Sequence, residues 1–216
     1  MGLRRLKRLP LELLQPYLLP LPQPGQTFDW SAVFGNAHPV ELEIGFGKGA
    51  FLVAAAQAHR DVNYLGIEIE RALVWYVASR LAKRGLRHVR LIHGDARTVL
   101  AQHVPPDSLQ AIHIYFPDPW WKRRHRKRRL VTSEFVASCA RALAPQGRVR
   151  LATDVEEYFQ EIQKLFRAVH TLAEVPPTTQ HAWPDVVTNF QRKALEQGRS
   201  VWRAEYVKTG SGGPPA

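Results

Sequence analysis

From Val40 onward, short apolar runs alternate with longer amphipathic stretches, a pattern that builds strand and helix units in series and favours a parallel sheet covered on both faces. Five strands are legible: Val40–Ile44, residues 63–67, Val89–His93, residues 111–115 and residues 148–153, each with Gly, Pro or an acid near its carboxyl end. Helices fit the intervals at Ala50–Ala58, at residues 70–84 closed by Gly85, and at residues 133–143. Asp154, with Glu157 three residues on, predicts a side-chain cap for a further helix that carries Tyr158, Ile162 and Leu165 on one stripe. Residues 200–207 read as a late strand. The expected class is α/β, doubly wound on a mostly parallel sheet.

Residues 1–36 are rich in Pro, Leu and basic side chains without a steady period, so they read as an arm that either wraps the domain or touches a partner. The domain itself is expected over 37–208, and 209–216, made of Thr, Gly, Ser, Pro and Ala, reads as a flexible tail. Arg4, Arg5, Lys7 and Arg8 ahead of a Leu-rich stretch resemble a signal peptide superficially. Pro10, Glu12, Gln15, Pro16 and Pro20 interrupt that stretch, and no apolar run approaches membrane-spanning length. The one cysteine, Cys139, cannot close an intrachain disulfide and reads as a small core residue. The cytoplasm is the expected location, without a membrane partner.

The stretch Glu43-Ile44-Gly45-Phe46-Gly47-Lys48-Gly49 lies where the first strand turns into the first helix, and glycines there let a ligand approach the backbone closely. Glu68 ends the second strand about twenty residues later, where a carboxylate can accept from ribose hydroxyls. Asp95 and Ala96 follow the third strand, placed to address an adenine edge, and Asp118 follows the fourth. Ligands of open parallel sheets bind beyond the carboxyl ends of the strands, so these acids are expected to be neighbours in space. The spacing is G-x-G-x-G rather than the G-x-G-x-x-G that suits a dinucleotide pyrophosphate, which disfavours a nicotinamide-dependent oxidoreductase. A sulfonium cofactor carries positive charge and no phosphate, and it favours nearby carboxylates such as Glu43 and Asp118. Nine scattered histidines and one cysteine supply no metal motif.

Thirty Lys and Arg against 19 Asp and Glu leave a formal charge of +11, a balance that suits phosphate-rich partners. Seven of those cations fall in the eight positions 122–129, directly after Phe116-Pro117-Asp118-Pro119-Trp120 and Trp121. So dense a run beside the expected crevice is the footprint of a nucleic-acid substrate, and either tryptophan can stack on a base or pack against the sheet.

These motifs together resemble the bacterial tRNA (guanine-N7-)-methyltransferases over roughly residues 30–207: Leu42-Glu43-Ile44-Gly45-Phe46-Gly47, then Gly66-Ile67-Glu68, then residues 116–120 with the basic run. The resemblance implies a Rossmann-like class I methyltransferase with a seven-stranded sheet, S-adenosylmethionine as donor and the variable-loop guanine at tRNA position 46 as acceptor. By the same resemblance Glu43, Gly45, Gly47, Glu68, Asp95, Ala96 and Asp118 face the cofactor, and Asp118 is also the catalytic residue. Lys122 and Asp154 match substrate positions, and Arg124, His125, Arg126, Lys127, Arg128 and Arg129 match the RNA contact. A late T-x-F-E motif corresponds to Thr188, Asn189, Phe190 and Gln191, also substrate contacts, with Gln191 where a glutamate is usual. An amide there still accepts a hydrogen bond but carries no charge. The sequence points to no obligate protein partner and leaves a monomer and a homodimer both open. A methyltransferase for another RNA base, a nicotinamide-dependent oxidoreductase and a non-catalytic RNA-binding module are the competing readings.

Overall fold

The computed structural model describes residues 9–176, 194 and 196–210, with the backbone alone described at Arg123 and Arg126. Seven strands form one sheet: β1 (Val40–Ile44), β2 (Asn63–Glu68), β3 (Val89–His93), β4 (Leu109–Tyr115), β5 (Leu143–Thr153), β6 (Leu172–Val175) and β7 (Trp202–Lys208). Their spatial order is β3-β2-β1-β4-β5-β7-β6. The first five strands run parallel, and β7 is antiparallel to both β5 and β6. The doubly wound class expected above is the one observed. Its strand order reverses between β1 and β4.

Helices cover both faces because both faces of the central strands are side-chain rich. Leu42, Ile44, Leu65, Ile67, Ile112, Ile114, Val149 and Leu151 point to one side and pack under α5 (Ala96–Gln102), α6 (Ser133–Ala142) and α7 (Glu156–Arg167). On the other side α3 (Ala50–Ala58) and α4 (Arg71–Ala82) bury Phe51, Leu52, Val77 and Leu81 against Tyr64 and Leu91. That second face is not purely apolar. Glu43, His113, Arg150 and Glu205 occupy one register row across β1, β4, β5 and β7. His113 Nε2 lies 2.9 Å from Glu41 Oε2, and its Nδ1 lies 2.8 Å from the Tyr115 hydroxyl. Burial holds the imidazole below its ordinary range against the pull of Glu41, while Glu205 pairs with Arg148 at 2.7 Å. Buried polar groups in such number persist because partners are found for most of them.

The described part of the N-terminal segment wraps the sheet edge. Within α1 (Leu11–Leu14) Leu14 is buried, as is Tyr17 just beyond it, both in the cluster with α4 and β3. Leu18 bridges Leu91, with the Leu19 amide donating to the Leu91 carbonyl at 2.8 Å, so the segment covers part of an edge strand that would otherwise expose unpaired backbone. Asp29 caps α2 (Trp30–Phe34) by accepting from the Ser31 and Ala32 amides.

One local expectation is corrected. Asp154 does not cap α7: the capping position is Val155, without a side-chain bond, and Asp154 instead pairs with Arg199. The expected α7 stripe is present: Tyr158 and Ile162 are buried with Phe159 and Phe166, and Leu165 packs partly buried against the same core. At the end of β7, Thr209 is buried and its amide donates to the Thr171 carbonyl at 3.0 Å.

Tyr17→Ala removes a large side chain from a filled site and is expected to cost about 3 kcal/mol of stability in urea denaturation; a loss within about 0.5 kcal/mol, as at an ordinary surface position, would mean that the segment is not docked as described.

Candidate active site

The crevice opens where β1 and β4 part. At Gly45 the backbone takes φ +68°, and a β-carbon added there would meet nothing within 4 Å, so this residue borders open space. Gly49 does a different job: at φ +66° it begins α3, and an added β-carbon would lie 2.8 Å from both Val77 methyls. Closeness of α3 to α4 thus depends on the missing side chain. Arg80 of α4 ties down the same loop by donating to the carbonyls of Lys48 and of Gly49, the latter at 3.1 Å. The sequence offered no signal for Arg80, because it acts across 31 residues through backbone atoms.

Glu68 crosses from the end of β2 into this loop. Its Oε2 accepts from the Gly47 amide at 2.9 Å and its Oε1 from the Glu70 amide at 3.0 Å, fixing the carboxylate plane. Glu43, at 4% exposure, has an Oε2 with no hydrogen-bond partner among the described residues. Burial raises its carboxyl to about 8, opposed by the Leu52 amide and reinforced by the charge of Glu68. A buried carboxyl oxygen left without a partner is costly. Asp95 is half-buried and caps α5, accepting from the Arg97 amide at 2.9 Å. The Arg97 side chain holds its carboxyl below the usual range. Gly94 joins the ends of β2 and β3 by donating to the Glu68 carbonyl at 3.0 Å. Glu43, Glu68 and Asp95 therefore line adjoining strand ends, and Ala96 is buried at the start of α5.

Asp118 stands exposed beyond β4, in a turn whose backbone is strained on both sides: Phe116 has φ +51° and Trp120 φ +43°. Left-handed conformations at such residues cost on the order of 1 to 3 kcal/mol each and persist only where neighbours enforce them. Two contacts do so. The Phe116 amide donates to the Ala152 carbonyl at 2.7 Å, and Arg129 Nε donates to the Pro119 carbonyl at 2.8 Å. Arg129 is buried at 7% exposure, pairs with Glu161 and lies 4.6 Å over the Tyr158 ring. Its place is inside the fold, so it braces the turn rather than offering a free charge.

The remainder of the basic run forms a short 3₁₀ segment, Arg123–Arg128. Lys122, Arg124, Lys127 and Arg128 are exposed and His125 is partly buried. Trp120 is held within the turn, with the Arg128 guanidinium 5.2 Å from its ring and His125 edge-on at 5.9 Å. Trp121 is 64% exposed. Of the two tryptophans, the second is the one with a ring face available. Asp154 lies at the end of β5, paired with Arg199. Thr188, Asn189, Phe190 and Gln191 lie outside the described residues. No helix among the described residues is long and apolar enough to cross a membrane.

Comparison with known proteins agrees with this geometry. Residues 37–204 match a family model described as "Putative methyltransferase". A tRNA (guanine-N(7)-)-methyltransferase of Alkalilimnicola ehrlichii is 39% identical over 201 residues, covering 92% of this chain and 85% of that protein. One of Hydrogenovibrio crunogenus is 37% identical, covering 81% and 74%. Among solved structures, the aminoglycoside resistance methyltransferase NpmB1 superposes with a TM-score of 0.55 at 17% identity, covering 79% of this chain and 87% of that one. The antibiotic-resistance methyltransferase Kmr also gives 0.55, at 14% identity with 86% and 95% covered. These two likenesses establish the fold, and the sequence relatives establish that the chain belongs to the tRNA (guanine-N7-)-methyltransferase family.

Proposed function

We propose that this protein transfers a methyl group from S-adenosylmethionine to N7 of a guanine in tRNA, and that the acceptor is the variable-loop guanine at position 46. The observation that carries the reading is the junction at residues 116–120, where an acidic crevice meets an exposed basic turn on one strained stretch of backbone. Family membership supports the chemistry. The cytoplasm is the proposed site of action, with tRNA as the partner.

The crevice suits the donor. Glu43 offers a buried carboxyl with one oxygen unpartnered among the described residues, Glu68 a carboxylate already oriented by two amides, and Gly45 open space beside the backbone. S-adenosylmethionine, when bound, supplies a methyl group on a positively charged sulfur, and the carbon–sulfur bonding pair leaves with that sulfur as N7 forms the new bond. In this reading Glu43 and Glu68 hold the cofactor from the ends of β1 and β2, with Asp95 and Ala96 beyond β3. Gly47 holds the Glu68 carboxylate in place.

Guanine N7 carries a free lone pair at neutral pH, so no residue has to remove a proton. The role left for Asp118 is orientation: its carboxylate accepts from the guanine N1–H and N2–H groups and turns N7 toward the methyl group. As positive charge passes to the purine, the same carboxylate stabilises it. Asp154 stands at the next strand end, with Thr188, Asn189, Phe190 and Gln191 as further substrate contacts in this reading. Lys122, Arg124, His125, Arg126, Lys127 and Arg128 meet phosphates, and the exposed ring of Trp121 stacks on a base drawn out of the tRNA core.

Asp118→Ala is expected to lower kcat by about a hundredfold or more in steady-state kinetics, while the double variant Arg124→Ala/Lys127→Ala leaves kcat nearly intact and reduces the slope of log KM against log salt by about 0.7 to 0.9 for each phosphate no longer neutralised. Near-normal turnover in Asp118→Ala would remove its proposed role. Glu43 gives a pH test. Its carboxyl is largely protonated at pH 7, since burial raises it to about 8, and a cationic ligand draws it toward the charged form. Cofactor binding should therefore release a proton at pH 7 and tighten as pH rises toward 8. Calorimetry in buffers of different ionisation enthalpy measures that proton, which Glu43→Gln should abolish; an unchanged proton count in the variant would exclude Glu43 as its source.

A further inference from the structure

The formal charge of +11 is concentrated rather than spread. Residues 122–129 hold seven cations and no acid, and Arg4, Arg5, Lys7 and Arg8 hold four more. A third concentration, distant from the other two in sequence, consists of Arg60, Lys83, Arg84, Arg87 and Arg90 with Asp61 as its one acid, a net +4. All remaining residues together carry a net −4, so this third group stands out against an acidic remainder.

The fold brings the group together at the turns that enter β2 and β3. Tyr64 at the start of β2 donates its amide to the His88 carbonyl at 2.9 Å. The His88 imidazole lies 2.9 Å from the Ala56 carbonyl; burial and then the charges of Arg60, His38 and Arg90 hold it below its ordinary range. Arg60, from the turn that enters β2, and Arg90, at the start of β3, thus lie within electrostatic reach of the same imidazole. Arg90 spends its guanidinium on the carbonyls of Arg87 at 2.7 Å and Val33 at 3.0 Å, and Arg84 donates to the Arg80 carbonyl at 3.0 Å. Arg60, Lys83, Arg84 and Arg87 are exposed, and none of the four has an ion pair among the described residues. Like charges so arranged repel one another until an anion neutralises them.

We infer that this surface, formed by Arg60, Lys83, Arg84 and Arg87, binds a second stretch of RNA sugar–phosphate backbone, away from the base that is methylated. The inference rests on the proposed tRNA substrate. The surface lies at the amino ends of the strands and the acidic crevice at their carboxyl ends, separated by the length of β2, Asn63–Glu68, which is about 17 to 20 Å. Screening at physiological salt acts over about 8 Å, so the surface contributes through its own phosphate contacts rather than through its field at the crevice. An L-shaped polyanion that is larger than the protein can reach both ends of the sheet, whereas an isolated nucleotide cannot.

The test is the triple variant Lys83→Ala/Arg84→Ala/Arg87→Ala, compared with wild type for tRNA binding and methylation between about 50 and 300 mM salt. Expected is a slope of log Kd against log salt reduced by about 2 to 3, a raised KM for tRNA, and kcat at saturating tRNA unchanged. Cofactor affinity by calorimetry should match wild type, and the single reversal Arg87→Glu should weaken tRNA binding in the same direction. A triple variant with the full wild-type slope overturns the inference while leaving the proposed function standing. The full slope together with abolished binding to phosphatidylserine vesicles overturns it in favour of a membrane surface. Wild-type protein that binds tRNA with no salt dependence contradicts both the inference and the proposed function.

Discussion

Because α3 leaves β1 on one face of the sheet while α6, the helix that follows β4, packs on the other, the carboxyl ends of these neighbouring strands part and leave a crevice that no backbone among the described residues fills. The arrangement explains why Glu43 can be buried with one oxygen unpartnered among the described residues and why Gly45 faces open space. It also explains the investment in the loop between them. Gly49 lets α3 approach Val77, Arg80 grips two loop carbonyls, and Glu68 receives the Gly47 amide. These contacts hold a cavity wall in place ahead of any ligand, so that less ordering remains to be done on binding.

The turn after β4 joins two opposite electrostatic environments. Asp118 follows the carboxyl end of β4, and within four residues the chain becomes strongly basic. Strain at Phe116 and Trp120 is offset by Ala152 on one side and Arg129 on the other. Arg129 is thus set apart from its neighbours in the run: it spends its charge on Glu161 and the Pro119 carbonyl, whereas Lys122, Arg124, Lys127 and Arg128 present theirs to solvent. A nucleophile that needs no deprotonation suits this design, because what the site then has to supply is position and field.

Much of the frame was legible in the sequence because buried parallel strands are short apolar runs punctuated by Gly or acids. β1, β3 and α3 have the expected bounds, and β2 and β4 differ by one or two residues. Elements with weaker signals were missed. The seven-residue α5 is too short to display a period, and β6 is a four-residue edge strand. Asp154 illustrates a different limit: its local spacing matched a cap, but Arg199, 45 positions away, took its carboxylate. Within the basic run, composition could not separate the buried Arg129 from its exposed neighbours, nor Trp120 from Trp121. The row of Glu43, His113, Arg150 and Glu205 depends on strand register across four strands, which no local pattern reveals.

The central claim, that an acidic cofactor crevice and a basic turn meet at Asp118 to methylate guanine N7 in tRNA, is tested most directly by its product. Unmodified tRNA incubated with the protein and methyl-labelled S-adenosylmethionine, then digested to nucleosides and fragments for mass spectrometry, is predicted to yield 7-methylguanosine confined to the variable loop. Label on another base, or on no nucleoside while the protein binds the cofactor, would contradict the account.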